Sequence, residues 1–256
     1  MPLLNRTTRR VTLTHEGSRY YANSVQILRL TEQAVDEARA ARDASSGSIR
    51  ISCTSALGIL HVTRSIFAFQ DLHPDIAIDL SLTDERIDLV REGVDIAFRL
   101  GPLADSSMKL RALGKSRRLL VAAPSYLTRY GRPAGPNDLK THEGIRMSNV
   151  AGSDALVLEG PDGTLHPVPF GGRFRVDHGL GAREALLAGR GIAPAHLWLV
   201  DDLLRQERLE VVLPQFCLPP IALSMLIAPS RKDIARVRLL VEFLADQVAG
   251  MPGIDQ

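Results

Sequence analysis

Residues 49–100 read IRISCTSALGILHVTRSIFAFQDLHPDIAIDLSLTDERIDLVREGVDIAFRL, and the spacing of their apolar positions decides the fold. Residues 49–54 make a short strand. A helical pattern then runs through Ile59, Ile66, Phe67 and Phe69 and stops at Leu72-His73-Pro74, where proline removes the next amide donor. Residues 76–82 alternate apolar and polar side chains, the period of a second strand. Residues 84–92, with Ile87, Leu89 and Val90, predict another helix, and residues 94–100 a third strand. Strands and helices in strict alternation specify an α/β fold built on a parallel sheet.

Downstream the scheme continues. Residues 109–114 and 118–123 predict two strands, and residues 124–130 a helix opened by a proline in its first turn. Short strands follow at 145–149, 155–159 and 164–167, with Pro161-Asp162-Gly163 turning the last two into a hairpin. A helix over 177–189, a strand from Ile192 and a helix over 197–205 complete a second α/β unit.

Upstream, the chain from His15 to about residue 44 contains no proline and, after Gly17, no glycine, which predicts one long helix. Tyr21, Leu28 and Val35 recur every seven residues, with Val25 between them, and give this polar rod a narrow apolar stripe. Such a stripe calls for a partner helix, or else for packing on the helix's own domain. Residues 44–48 (ASSGS) read as the hinge that ends the rod. Ahead of it stands Leu-Asn-Arg-Thr-Thr-Arg-Arg-Val-Thr-Leu-Thr-His-Glu-Gly, residues 4–17. Arg6, Arg9 and Arg10, with Thr7 and Thr8 beside them on a hairpin, are suited to donate to phosphate oxygens, and Thr14 to cap the following helix.

Composition agrees with a charged head on a neutral body. The chain has 256 residues, 45% of them hydrophobic, enough for two modest domains. Its net charge of +2 is unevenly spread: residues 1–50 hold eight arginines against five acids, and the remainder holds 23 basic against 24 acidic residues. No apolar run approaches the roughly 20 residues that span a bilayer, and there is no signal-peptide core, so a cytoplasmic protein without membrane partners is expected. Cys53 and Cys217 lack metal-ligand spacing, and no metal site or cofactor is expected. The absence of a Gly-rich phosphate loop or a nucleophile elbow argues against an enzyme.

The block at 4–17 resembles the end of the winged helix-turn-helix of LysR-type transcriptional regulators, Leu-x-Arg-Thr-Thr-Arg-x-Val-x-Leu-Thr-x-x-Gly. The resemblance extends to about Val248 through residues 69–74 (FQDLHP), 84–99 (DERIDLVREGVDIAFR), 123–130 (APSYLTRY), 189–192 (GRGI) and 203–213 (LLRQERLEVVL). It implies a two-lobed effector domain of the type II periplasmic-binding-protein kind, preceded by a winged-helix remnant and a linker helix. The implied boundaries are 1–14 for the wing, 15–46 for the linker and 47–250 for the effector domain. Lobe I would take about 48–121 and 225–248, and lobe II about 122–224. The resemblance places the recognition helix ahead of Met1, outside this sequence, and one departure is Ala193-Pro194-Ala195-His196 where an apolar pair and proline are usual.

In an open α/β sheet a ligand sits beyond the carboxyl ends of the strands. Thr54, Ser55, Thr83, Asp84 and Arg99 fall there in the first lobe, and Ser125, Asn149 and Asp177 in the second. Hydroxyls at helix starts and an arginine point to a small carboxylate or other anion. The same hydroxyls can be helix caps alone, and Arg99 can be satisfied by Asp95. His178 beside Asp177 invites a catalytic role, but no second acid or nucleophile accompanies it. The expected function is a regulator in which an effector between the lobes alters a homodimer or homotetramer on promoter DNA. The alternative is a stand-alone cytoplasmic small-molecule-binding protein that does not read DNA sequence.

Overall fold

The computed structural model describes residues 2–6, 10–40, 46–85, 87–90, 92–103, 108–150 and 152–255. Strands β1 (Leu4–Arg6) and β2 (Val11–Leu13) form an antiparallel hairpin in which Leu4 faces Leu13 and Arg6 faces Val11. Helix α1 (His15–Ala40) follows at once and is 26 residues long. The predicted cap is present: Thr14 Oγ1 accepts from the Gly17 amide at 2.8 Å and donates to the Pro2 carbonyl at 3.0 Å. The Thr14 amide also donates to Leu3 O at 3.1 Å. Gly17 is needed where it stands, because a Cβ there would lie 1.9 Å from Leu3 O. The hairpin is thus fastened to the start of the helix by backbone contact. Of the predicted hinge, residues 44 and 45 lie outside the described residues, and Gly47 and Ser48 already belong to the strand that follows.

The first sheet begins with β3 (Gly47–Cys53), followed by α2 (Ser55–Leu57), a π turn over Gly58–Val62, and α3 (Thr63–Leu72). The wide turn is held by Thr63, whose hydroxyl donates to Gly58 O, five residues back, at 2.8 Å. Strands β4 (Ile76–Leu82), β5 (Ile96–Leu100) and β6 (Lys109–Ser116) come next. The chain then enters a second unit with β7 (Arg118–Ala122), α4 (Pro124–Tyr130), β8 (Arg146–Met147), β9 (Ala155–Glu159), β10 (Leu165–Pro169) and β11 (Arg175–Val176). It continues through α5 (Gly179–Leu187), β12 (Ile192–His196), α6 (Leu197–Arg205) and β13 (Glu210–Val212). Strand β14 (Ile221–Ile227), α7 (Ala235–Ala249) and β15 (Ile254–Asp255) return to the first sheet.

That first sheet has the order β15-β6-β14-β5-β3-β4, and the second, β12-β7-β13. The three strands of the opening stretch are parallel, whereas β14 inserts antiparallel between β5 and β6. The chain passes between the sheets at Arg117 and again at Pro219-Pro220. These crossings are tied together by Arg118, whose Nε and Nη2 donate to Pro219 O at 3.0 and 2.7 Å. One apolar cluster, with Ile49, Phe69 and Phe98 on one side and Val121, Ala193 and Trp198 on the other, runs through both units. Pro194 is accommodated because β12 is an edge strand, where proline faces Leu120 without having to donate into a further ladder.

One predicted element is absent. Among the described residues of 84–92 there is no helix; turns replace it, with Glu92 N donating to Asp88 O and Val94 N to Leu89 O. Leu89, with Ile87 packed alongside, drops into a small cluster with Val94, Ala97, Met108 and Leu226, so the apolar residues anchor a loop. The strand predicted over 145–149 shortens to β8.

Replacing Gly17 by valine should detach the hairpin from α1 while leaving the two sheets intact. Loss of a bond worth about 1 kcal/mol accelerates exchange of the Thr14 amide roughly fivefold in hydrogen-exchange measurements, with the main thermal transition unmoved. Unchanged exchange at Thr14 would show that the close approach to Leu3 does not matter.

Candidate functional site

The starts of α2 and α5 meet at the mouth of a cavity of about 470 Å³, lined by Ser55, Leu82, Thr83, Asp84, Glu85, Asn149, Asp177 and His178. Glycine at position 179 allows the meeting, since a Cβ there would stand only 3.1 Å from that of Ala56. The first sheet supplies Ser55 after β3 and residues 82–85 at the end of β4. The second unit supplies Asn149 after β8 and Asp177 and His178 after β11.

Local hydrogen bonds fix this lining. Asp84 Oδ1 accepts from the Ser55 amide at 3.1 Å, so a carboxylate from the β4 end caps the helix that begins after β3. Thr83 N donates to Cys53 O at 2.9 Å, and Thr83 Oγ1 accepts from Glu85 N at 3.1 Å. On the other wall, Asn149 Nδ2 donates to Asp177 O at 2.8 Å. His178 caps α5 by accepting from Leu180 N on Nδ1 at 3.2 Å. In the neutral ring the proton therefore sits on Nε2, which faces Asp84 Oδ2 across the cavity at 3.7 Å. Asp84 Oδ2 is buried and has no hydrogen-bond partner among the described residues.

Five of the positions expected at strand ends, Ser55, Thr83, Asp84, Asn149 and Asp177, line the cavity together. Three do not. Thr54 stands at the N-cap position of α2 but makes no cap bond there, because Asp84 takes that role. Arg99 is drawn into the sheet, where Nη2 donates to Ser52 Oγ and Nη1 to Phe98 O, each at 2.8 Å. Burial lowers its pKa, against the opposing influence of Cys53 and Asp84. Its suggested partner Asp95 is engaged elsewhere, in a buried ion pair with Arg231 at 2.8 Å and a bond from the Arg50 amide. Ser125 lies beside Gly189, outside the lining. Leu82, Glu85 and His178 also line the cavity and were not among the expected positions, although each adjoins one of them. Behind the cavity, burial pushes the Cys53 thiol up to about 12, which leaves it unreactive.

The amino-terminal candidates are only partly described. Arg6 lies on β1 and Arg10 just before β2, while Thr7, Thr8 and Arg9 lie outside the described residues. On α1, Tyr21 and Leu28 are 62% and 64% exposed and Val25 is half-buried; the Val35 side chain is outside the description.

A polar cluster closes the seam between the units. Trp198 Nε1 donates to Ser116 Oγ at 2.9 Å, and Ser116 Oγ stands 2.7 Å from His196 Nδ1. The serine hydroxyl thus bridges the indole and the imidazole, and it can serve the neutral ring as either donor or acceptor. Burial, with the nearby Arg118 charge, takes the His196 pKa down to about 3. From the first unit, His61 Nε2 reaches Trp198 O at 3.0 Å and the ring meets the indole edge-on.

Two α/β units that share one ligand-sized cavity, carried behind a long helix and a basic hairpin, define a ligand-binding regulatory domain on a linker. Residues 42–249 match the LysR substrate binding domain, and the chain belongs to the LysR family of transcriptional regulators. It is 33% identical to the HTH-type transcriptional regulator YhjC of Escherichia coli K12 over 95% of this chain and 82% of that protein. It is 30% identical to the transcriptional activator AaeR of the same strain over 95% and 79% of the two chains. The full-length structure of the Vibrio cholerae virulence activator AphB, a member of the LTTR family, superimposes with a TM-score of 0.75 at 28% identity, over 96% of this chain and 84% of that one. The fold is accordingly the two-lobed effector-domain architecture that the resemblance implied, and these relatives are transcriptional regulators rather than enzymes.

His196 gives the fold a pH dependence of definite sign. An unfolded histidine takes up its proton near 6.5, and the folded one only near 3. The neutral ring therefore contributes its full stability above about 6.5 and loses it progressively as pH falls through that window, at up to about 1.4 kcal/mol per pH unit. In urea titrations between pH 7 and 4, His196→Gln should flatten the fall relative to the parent chain; parallel curves would remove His196 as a cause.

Proposed function

We propose that this chain works as the sensing and dimerising part of a LysR-type regulator, with the effector held in the cavity at Ser55, Thr83, Asp84, Asn149 and Asp177. The observation that carries this reading is that the lining is divided between the two lobes, so a ligand touching both walls favours one lobe arrangement over another. Only such differential contact shifts a conformational equilibrium. In this reading the lobes divide at the two crossings of the chain, Arg117 and Pro219-Pro220, a few residues ahead of the boundaries near 121 and 225 that the resemblance implied. No helix among the described residues is long and apolar enough to cross a membrane; a cytoplasmic, non-enzymatic role is proposed because the relatives are regulators. The stand-alone binding protein is not favoured, since the relatives are regulators.

In this reading α1 pairs with the same helix of a second copy through Tyr21, Val25, Leu28 and Val35, and Arg6, Thr7, Thr8, Arg9 and Arg10 contact DNA phosphates. Exposed tyrosine and leucine on a long helix favour the pairing. Leu28→Glu should convert the dimer to monomer in light scattering coupled to size exclusion; a parent chain that is itself monomeric at micromolar concentration would refute the pairing. Phosphate contacts release counterions, so DNA affinity should fall steeply with salt. In fluorescence-anisotropy titrations with promoter DNA, Arg10→Ala should reduce the slope of log K against log salt by about 1. A parent chain with no salt-dependent DNA binding would eliminate the wing contact.

A further inference from the structure

We propose that the cavity recognises its effector by a positive charge, taking a small organic ammonium whose N–H groups are received by Asp84 and the Ser55 hydroxyl. The inference rests on the reading of this cavity as the effector site and concerns only the chemistry of the ligand. An anion was expected because helix starts and an arginine gather here, but the Ser55 and Leu180 amides and the Arg99 guanidinium already have partners. The Ser55 amide at the start of α2 is taken by Asp84 Oδ1, and the Leu180 amide near the start of α5 by His178 Nδ1. Arg99 points its donors at Ser52 and the Phe98 carbonyl. What faces the cavity instead is carboxylate: Asp84, Glu85 and Asp177, against one imidazole and, among the described lining residues, no lysine or arginine. An incoming carboxylate would meet like charges at short range, whereas an ammonium meets the reverse.

Two atoms mark where the cation goes. Asp84 Oδ2 is buried, has no hydrogen-bond partner among the described residues and is 3.7 Å from His178 Nε2, too far for a hydrogen bond. Ser55 is only 7% exposed, lines the cavity, and its hydroxyl makes no hydrogen bond with any described residue. A buried carboxylate oxygen left without a partner is costly unless a donor is supplied, and the Ser55 hydroxyl, which opens on the same cavity, can receive a second N–H. The described carboxylates do not converge into a metal-holding group, and 470 Å³ suits a small organic molecule.

The test uses three four-carbon probes of matched length: putrescine, 1,4-butanediol and succinate, titrated into the 256-residue chain by calorimetry. Putrescine should bind, more weakly as salt rises, and the other two should not. Asp84→Asn, which keeps a helix cap but removes the charge, should weaken putrescine by about tenfold or more. Glu85→Gln, at an exposed position, should weaken it less, and Asn149→Trp, which fills the cavity, should abolish binding. Succinate binding that Asn149→Trp abolishes would overturn the cation while leaving the cavity as the effector site. Putrescine binding that survives Asn149→Trp would overturn both, and binding indifferent to Asp84→Asn, or no binding by any probe, would overturn the cation.

Discussion

A chain that leaves one sheet, builds a second and returns must pass between them twice, and everything functional here depends on how those passages are held. Arg118 holds them by giving two N–H groups to the Pro219 carbonyl, so the outgoing and returning strands share one anchor. On either side of that anchor the backbone belongs to different ladders, β6 with β14 and β7 with β12 and β13. Rotation about two short extended segments costs little, whereas shearing either sheet would break a ladder of hydrogen bonds. Any relative movement of the lobes would therefore fall at the seam rather than within a sheet. The shared apolar cluster and the Ser116-His196-Trp198 chain limit how far that freedom extends.

Much of this was legible in the residues because local pattern and tertiary demand agree. Residues 76–82 alternate as a strand and are β4; residues 124–130 open with proline and are α4; residues 197–205 carry one apolar face and are α6. Residues 84–92 defeated the same reasoning. Ile87, Leu89 and Val90 have helical spacing, yet Asp84 is committed to capping α2, and Leu89 is claimed by a cluster formed with Met108 and Leu226, far along the chain. Neither demand is visible in a local window. The family resemblance supplied what periodicity could not, namely that the carboxyl-terminal strand and helix rejoin the first lobe.

The cavity shows the same division. Strand ends could be located from sequence, and most of the side chains that meet there were found by that rule alone. Whether a donor at such an end remains available is a different matter, settled by partners distant in sequence. Arg99 is consumed by Ser52 and a neighbouring carbonyl, and the helix start by Asp84. The charge proposed for the ligand thus rests on side-chain pairing, which spacing does not encode.

The chain contains a single tryptophan, and it stands at the seam, stacked on His196 and touched edge-on by His61 from the first lobe. Its neighbours are two imidazoles and a serine hydroxyl, of which His61 and Ser116 belong to the first lobe, and imidazoles quench indole emission according to their distance and protonation. The protein therefore carries a native optical gauge of its own hinge. Every photon of tryptophan fluorescence comes from the joint about which the lobes would turn.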